Sequence, residues 1–316
     1  MAKFIIKRCL SAIPVLIVVL VMVFFLMRFI PGNPIYFIQE DADITPEQME
    51  MLQEKYGLNE SIFQQFAKYI KNVLRGDWGE SYFNGKPVFE NIRTRMEPTA
   101  MITVLSMLIT LILGVPLGMY AATHHNSRLD YILSGTSMIL TTIPSFCLGI
   151  GFLYLFAFKL RWFPMRGYTY IADGGFWKAV HSAMLPSLAV GLCGVASFSR
   201  HTRSQMLDVL GSDYIRTARA KGLSERLVNY RHAMRGVLAV LITIVSNSVL
   251  GSLGGAAVLE GVFNIQGVGL LALDSISRRD YSQEQAILVF FAVLFVFMNI
   301  MLDIVYKLLD PRVELD

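Results

Sequence analysis

Six apolar stretches dominate this chain, at roughly 9–30, 99–122, 131–157, 183–200, 236–260 and 285–308. A helix needs about 20 apolar residues to cross the hydrocarbon core of a bilayer. Charged residues make up only 16% of the 316, where a soluble domain carries about 25%. The length would allow two soluble domains, but the apolar runs argue for one polytopic membrane domain. The fold class expected is an all-α membrane protein, with six transmembrane helices and an extracytoplasmic helical insertion between the first two. The fourth run is the weakest, with Pro186 near its start and Ser197 and Ser199 near its end. Without it, five spans would put the termini on opposite sides of the membrane.

The first run follows Lys3, Lys7 and Arg8, as a secretory signal would. It is longer than a signal core and leads into Pro31-Gly32-Asn33-Pro34 rather than a small-residue cleavage site. It reads as a retained helix. The segment from 200 to 235 holds eight basic residues against Asp208, Asp213 and Glu225. An excess of Lys and Arg marks the cytoplasmic side, so both termini are expected in the cytoplasm of a multi-pass inner-membrane protein. The long segment from Pro31 to Pro98 has seven basic and eleven acidic residues. Loops of that length cross largely regardless of charge, so the 200–235 loop decides the topology.

The 31–98 segment has helical signals of its own. Thr45-Pro46-Glu47-Gln48 and Ser61-Ile62-Phe63-Gln64 both read as capping boxes, the first with proline at the first helical position. The first helix should stop near Gly57 and the second near Gly76. Phe63, Phe66, Ala67, Ile70, Val73 and Leu74 form one apolar face of the second. A loop this long is usually functional, so a subdomain near a substrate entrance is preferred to a passive cover. The expected division is therefore 1–30 for the N-terminal segment and first helix, 31–98 for the insertion, 99–309 for the core, and 310–316 for a cytoplasmic tail.

Between the fourth and fifth runs lies Asp213-Tyr214-Ile215-Arg216-Thr217-Ala218-Arg219-Ala220-Lys221-Gly222-Leu223. Ser212 or Asp213 can cap a helix start. Tyr214, Ile215 and Ala218 fall on one face, Arg216 and Arg219 away from it, and Gly222 can end the helix in a left-handed conformation. A stub of about three turns with an apolar-aromatic face suits a groove on a partner. It also suits anionic lipid, and spacing alone leaves the two readings even.

Several chemistries find no support. No G-x-x-x-x-G-K-[ST] loop is present, since Gly85-Lys86 lacks the upstream glycine and is followed by Pro87. The chain is therefore not expected to hydrolyse ATP, and no catalytic constellation is legible. His124 and His125 are adjacent and make a poor metal site. Cys9, Cys147 and Cys193 have no metal-site spacing and read as buried small hydrophobes without a disulfide. No metal, cofactor or nucleic-acid partner is expected for this chain. Asp303 and Lys307 stand at the favourable acid-before-base spacing for a structural pair, and Arg28 is expected to snorkel.

The 213–223 segment resembles the coupling loop of ATP-binding cassette import permeases, whose motif is E-A-A followed by Gly; Asp213, Ala218, Ala220 and Gly222 carry the likeness. The resemblance runs nearly end to end, to the first permease of the oligopeptide, dipeptide and nickel importer group. It includes Lys55-Tyr56-Gly57-Leu58-Asn59, Gly76-Asp77-Trp78-Gly79-Glu80-Ser81, Pro87-Val88 and Arg231-His232-Ala233-Met234-Arg235. Further blocks are Gly254-Gly255-Ala256, Glu260-Gly261-Val262-Phe263, Gly267-Val268-Gly269, Arg279-Asp280-Tyr281, Asp303-Ile304-Val305-Tyr306 and Asp310-Pro311-Arg312. Two family prolines are missing, where this chain has Val240 and Gln266, which bears on the ends of the fifth span.

The resemblance implies a second, similar permease subunit, two cytoplasmic ATPase subunits that bind ATP and Mg, and an extracytoplasmic substrate-binding protein. It implies an alternating-access importer of di- and oligopeptides, with nickel or metal chelates and glutathione-like compounds as alternatives. It assigns ATPase coupling to Asp213, Tyr214, Ile215, Thr217, Ala218, Ala220, Lys221, Gly222 and Leu223. The fifth span would line the pathway through Ser246, Asn247, Gly251, Gly254 and Gly255, with Ser248 beside them. Its small residues also suit plain helix packing. Glu260, at the outer end, either meets a substrate amine or is an interfacial carboxylate. The rival class is an ion-gradient-driven secondary transporter, which would favour internal repeats and midplane ionisable residues; neither is legible here.

Overall fold

A computed structural model describes residues 2–29 and 45–309; the side chains of 2–5, 46, 239, 246–255, 302 and 305–309 lie outside the description. The described residues are helical almost throughout, and the one β-type pairing among them is an isolated bridge between Glu80 and Pro87. The chain divides into two compact units, Met1–Met96 with Leu270–Ile300 and Glu97–Gly269 with Met301–Asp316.

In the first unit, α1 (Ala2–Phe29) is followed by α2 (Pro46–Lys55) and α3 (Ile62–Leu74). Both expected capping boxes form. Gln48 N–H bonds Thr45 Oγ1 and Gln64 N–H bonds Ser61 Oγ, with each glutamine side chain returning to the cap N–H. Gly57 and Gly76 follow α2 and α3 with φ of +66° and +79°, which only glycine adopts freely. Phe66 of α3 packs at 5.1 Å from Phe24 and 5.6 Å from Phe25 of α1. Arg28 Nε donates to Gln65 Oε1 at 2.9 Å, and its guanidinium lies 3.6 Å from the Phe24 ring centre. The unit is completed by residues 270–300, which include α11 (Tyr281–Leu309) as far as Ile300.

In the second unit, α4 (Val88–Thr123) begins well before the expected start of the second run. The third run is not one straight helix. It is α5 (Arg128–Thr142) and α6 (Ser145–Phe152), with a bend of 96° between Arg128–Thr142 and Ser145–Lys159. Ile143 is extended at ψ 122° because it precedes Pro144. Beyond α6 the chain widens into a π-type turn through Lys159, with Leu160 N–H reaching back to Leu155 O. The weakest run is part of α7 (Phe176–Leu210), the most buried of the candidate spans among the described residues. Its apolar signal is shorter than the helix because the buried face is lined with small and hydroxyl-bearing residues such as Ala183, Ser187, Ala189 and Gly191.

Helices α4 and α7 meet at glycines. A side chain at Gly114 would meet Phe198 Cβ at 2.9 Å, and one at Gly118 would enter the backbone of Ser199. Gly191 and Gly194 answer from α7 against Ile109 and Thr110. Close approach through small residues is how helices gain packing in lipid. Cys9 and Cys147 are exposed on the chain rather than buried, and all three cysteines are free.

Among the described residues, four helices are long and apolar enough to cross a membrane, or five if the bent pair is one span. The remaining long helix, α9 (Met234–Val262), has 29 residues. Before it comes α8 (Asp213–Ala220), and after it α10 (Val268–Ser277).

Candidate docking helix and transport core

The basic segment forms α8, an eight-residue helix of about two turns rather than three. Gly222 ends it with φ +76° and open space around its α-carbon, so conformation and not crowding requires glycine there. The expected cap is not made: Ser212 Oγ donates to Val209 O at 2.6 Å, and Asp213 pairs with Arg216 at 3.4 Å while almost fully exposed. Exposed pairs of this kind add at most about 1 kcal/mol.

The apolar face of α8 points inward. Ile215 is fully buried and Ala218 nearly so, in a cluster with Met119, Phe198, Met206, Val228 and Val237; Leu223 packs at its edge. Tyr214 is half-exposed, with its hydroxyl beside Gly236. The exposed residues of 213–221 are Asp213, Tyr214, Arg216, Thr217, Arg219, Ala220 and Lys221. This corrects the expected presentation of an apolar groove-filling face: burying Ile215 against the chain's own helices is what fixes the stub in place. Arg219 is held side-on by Glu225, at 2.8 and 3.2 Å.

Glu260 is not open to solvent. It is fully buried near the end of α9 and accepts a 2.6 Å hydrogen bond from Thr99 Oγ1 of α4. Thr99 Oγ1 in turn accepts Val268 N–H at 2.8 Å, at the start of α10. Gly267 lies so close that a Cβ there would enter the Glu260 carboxylate. The Glu260-Gly261 and Gly267-Val268 blocks thus form one lock with Thr99 of α4 inside the second unit. Ser246, Asn247, Ser248, Gly251, Gly254 and Gly255 fall on α9, but their side chains, like that of Lys307, lie outside the described residues.

Two links escaped the sequence reading. Asp130, only 2% exposed, takes a side-on pair of bonds from Arg203 at 2.6 and 2.7 Å, joining α5 to α7. Ser127 Oγ accepts Asp130 N–H and Asp130 accepts Asn126 N–H. The Ser127-x-x-Asp130 spacing was the available signal, a capping pair at the start of a helix. In the first unit, the Gly79-Glu80-Ser81 and Arg279-Asp280-Tyr281 blocks meet, with Ser81 and the Tyr82 N–H both bound to Asp280. No group of three or more potential metal ligands occurs among the described residues.

Long apolar helices, a small-residue seam, and a short polar-faced helix anchored between them define an all-helical, multi-pass membrane transport component. The chain belongs to the family of binding-protein-dependent transport system inner membrane components: residues 114–315 match that family and residues 1–103 match its N-terminal part. It is 37% identical to the oligopeptide transport system permease protein AppB of Bacillus subtilis, over 99% of this chain and 100% of that one. It is 36% identical to a probable peptide ABC transporter permease protein, y4tP, of Sinorhizobium fredii, over 99% of this chain and 100% of that one. It is 34% identical to the glutathione transport system permease protein GsiC of Escherichia coli, over 99% of each chain. The fold is similar to that of the inward-facing MetNI methionine ABC transporter, with a TM-score of 0.59 over 71% of this chain and 99% of that one at 16% identity.

Proposed function

We propose that this chain is a permease subunit of an ATP-driven importer that carries di- and oligopeptides into the cell by alternating access. The observation that carries this reading is full-length similarity, at 36–37% identity, to two permeases named for peptide transport. On this reading there are six spans, with α9 as the fifth and the bent α5–α6 pair as the third. Both termini lie in the cytoplasm, and the 31–98 segment is external. A second, similar permease completes the pathway, and an external binding protein delivers the solute. Two ATPase subunits hold ATP and Mg and dock on α8.

The polar face of α8 supports that docking role. Arg216, Thr217, Ala220 and Lys221 are exposed on a stub whose other face is locked into the chain's core. A push on such a stub moves α7 and α9 rather than bending a loop. The test is uptake of labelled di- and oligopeptides, glutathione and nickel in cells lacking the chain, with and without its restoration. Peptide uptake should be lost and restored. Selective loss of glutathione uptake would instead favour the second reading, which the 34% identity to the glutathione permease motivates. Loss of nickel uptake alone would move the chain to the metal branch. Transport by the chain alone in vesicles with an ion gradient would return the secondary-transporter reading.

A further inference from the structure

The first unit contains a cleft of about 430 Å³ between α2, α3, the 77–82 turn and the start of α11. That volume falls in the range of small-molecule sites, about 300–1,000 Å³. Its wall holds a guanidinium without a carboxylate partner and two donors without acceptors, among the described residues. Arg28 donates to Gln65 Oε1 at 2.9 Å and to Phe24 O at 3.5 Å and lies over the Phe24 ring, and no carboxylate pairs with it. Among the described residues, Tyr69 Oη and Gln285 Nε2 are buried without a hydrogen-bond partner, and Gln285 as a whole is only 5% exposed. Burial pushes the Tyr69 phenol up to about 12, against the opposing pull of Arg28, so it stays a neutral donor at physiological pH. Buried donors without acceptors are costly, and a guanidinium is built to take a carboxylate in its planar fork.

The acids of the cleft divide into two groups. Glu80 pairs with Lys55, and Glu60 pairs with Lys68 through Oε1 while its Oε2 is buried without a hydrogen-bond partner among the described residues. Glu54 and Asp77 line the same cleft, are exposed, and have no basic partner among the described residues. A dianion such as phosphate would meet these carboxylates and be repelled. A molecule carrying one carboxylate and one ammonium complements both ends.

We propose that this cleft is a binding site for a small zwitterion, a free amino acid or short peptide, with its carboxylate on Arg28 and its ammonium facing Glu54 and Asp77. The proposal goes beyond peptide import: the site belongs to the first unit and does not depend on which solute crosses the membrane.

The full chain in detergent, without the external binding protein, is titrated with labelled dialanine, dialanine amide and acetyl-dialanine. Dialanine should bind at least about tenfold more tightly than either analogue, the worth of one charge-assisted contact. Arg28→Gln should erase the preference over the amide, and Glu54→Gln with Asp77→Asn should erase the preference over the acetylated peptide. The acidic pair is exposed, so its double variant carries the test if Arg28→Gln does not fold. Equal binding of all three ligands, or preferences that persist in the variants, would overturn the site. Peptide uptake separates the two readings: lost cleft binding with normal uptake removes only the zwitterion site, and intact cleft binding without peptide uptake removes only the import reading.

Discussion

Ser81 donates a 2.5 Å hydrogen bond to Asp280 Oδ2 across 199 positions of sequence. Both residues are almost wholly buried. The other oxygen of Asp280 accepts the N–H groups of Tyr82 and of Gln283, so one carboxylate both caps α11 and pins the 77–82 turn. Asp280→Ala should destabilise the chain by about 2–3 kcal/mol, since it leaves several buried donors unpaired. Ser81→Ala should cost about 1 kcal/mol. Thermal unfolding in detergent reads both, and a Ser81→Ala variant more costly than Asp280→Ala would contradict this ranking.

The Glu260 lock predicts a coupled pair. Gly267→Ala places a methyl group in the carboxylate's space and should cost about 1–3 kcal/mol, as overpacking does. Glu260→Asp draws the carboxylate back by one methylene, so the same alanine should be better tolerated in that background. Strict additivity in a double-mutant cycle would show that the two sites do not touch.

Removing Arg203 strands Asp130 in the interior. Arg203→Ala should therefore cost about 3 kcal/mol, towards the lower end of the range for broken buried pairs because Arg203 is itself 26% exposed. Arg203→Lys should recover only part of this, because lysine cannot make the two-bond fork. Identical melting temperatures for the lysine variant and the parent would argue against the fork's importance.

On α8, stability and coupling should separate by face. Ile215→Ala should lower the melting temperature, at about 2–4 kcal/mol for an emptied core site. Arg216→Ala with Thr217→Ala should leave melting unchanged while weakening ATPase retention and uptake. Gly222→Val should add backbone strain of about 1–2 kcal/mol and uncouple ATP hydrolysis from transport. Full transport with normal ATPase retention in the Gly222 variant would remove the docking role.

The first unit should lose stability at high pH. Burial pushes Tyr69 and Tyr82 from 10 to about 12 in the folded chain, with Arg28 opposing in both cases. A phenol whose folded value lies above its unfolded one stabilises the fold fully below pH 10. That contribution fades as the pH rises through 12. Phenolate absorbance should therefore show a late-titrating fraction, smaller by one group in Tyr69→Phe. Uniform titration of all thirteen tyrosines near 10 would exclude the burial effect.

Much of this architecture was legible locally. The apolar runs, both capping boxes, and the glycine stops at 57, 76 and 222 depend on residues within a few positions of each other, so their physics is written in order along the chain. Pro144 inside the third run also signalled a break, because the residue before proline avoids the helical region. The weak hydropathy of 183–200 marked a span but understated its length: a helix packed against protein needs small residues and hydroxyls, not the apolar surface that lipid demands.

What the sequence by itself determined is where helices start and stop and that the chain lives in a membrane. Only the tertiary structure decided which side chains meet. Ser81 finds Asp280, Thr99 finds Glu260, Arg203 finds Asp130, and Ile215 turns inward rather than toward a partner. Each choice is made by a desolvated contact between segments far apart in sequence, and amphipathic periodicity records that a face is apolar without recording what covers it.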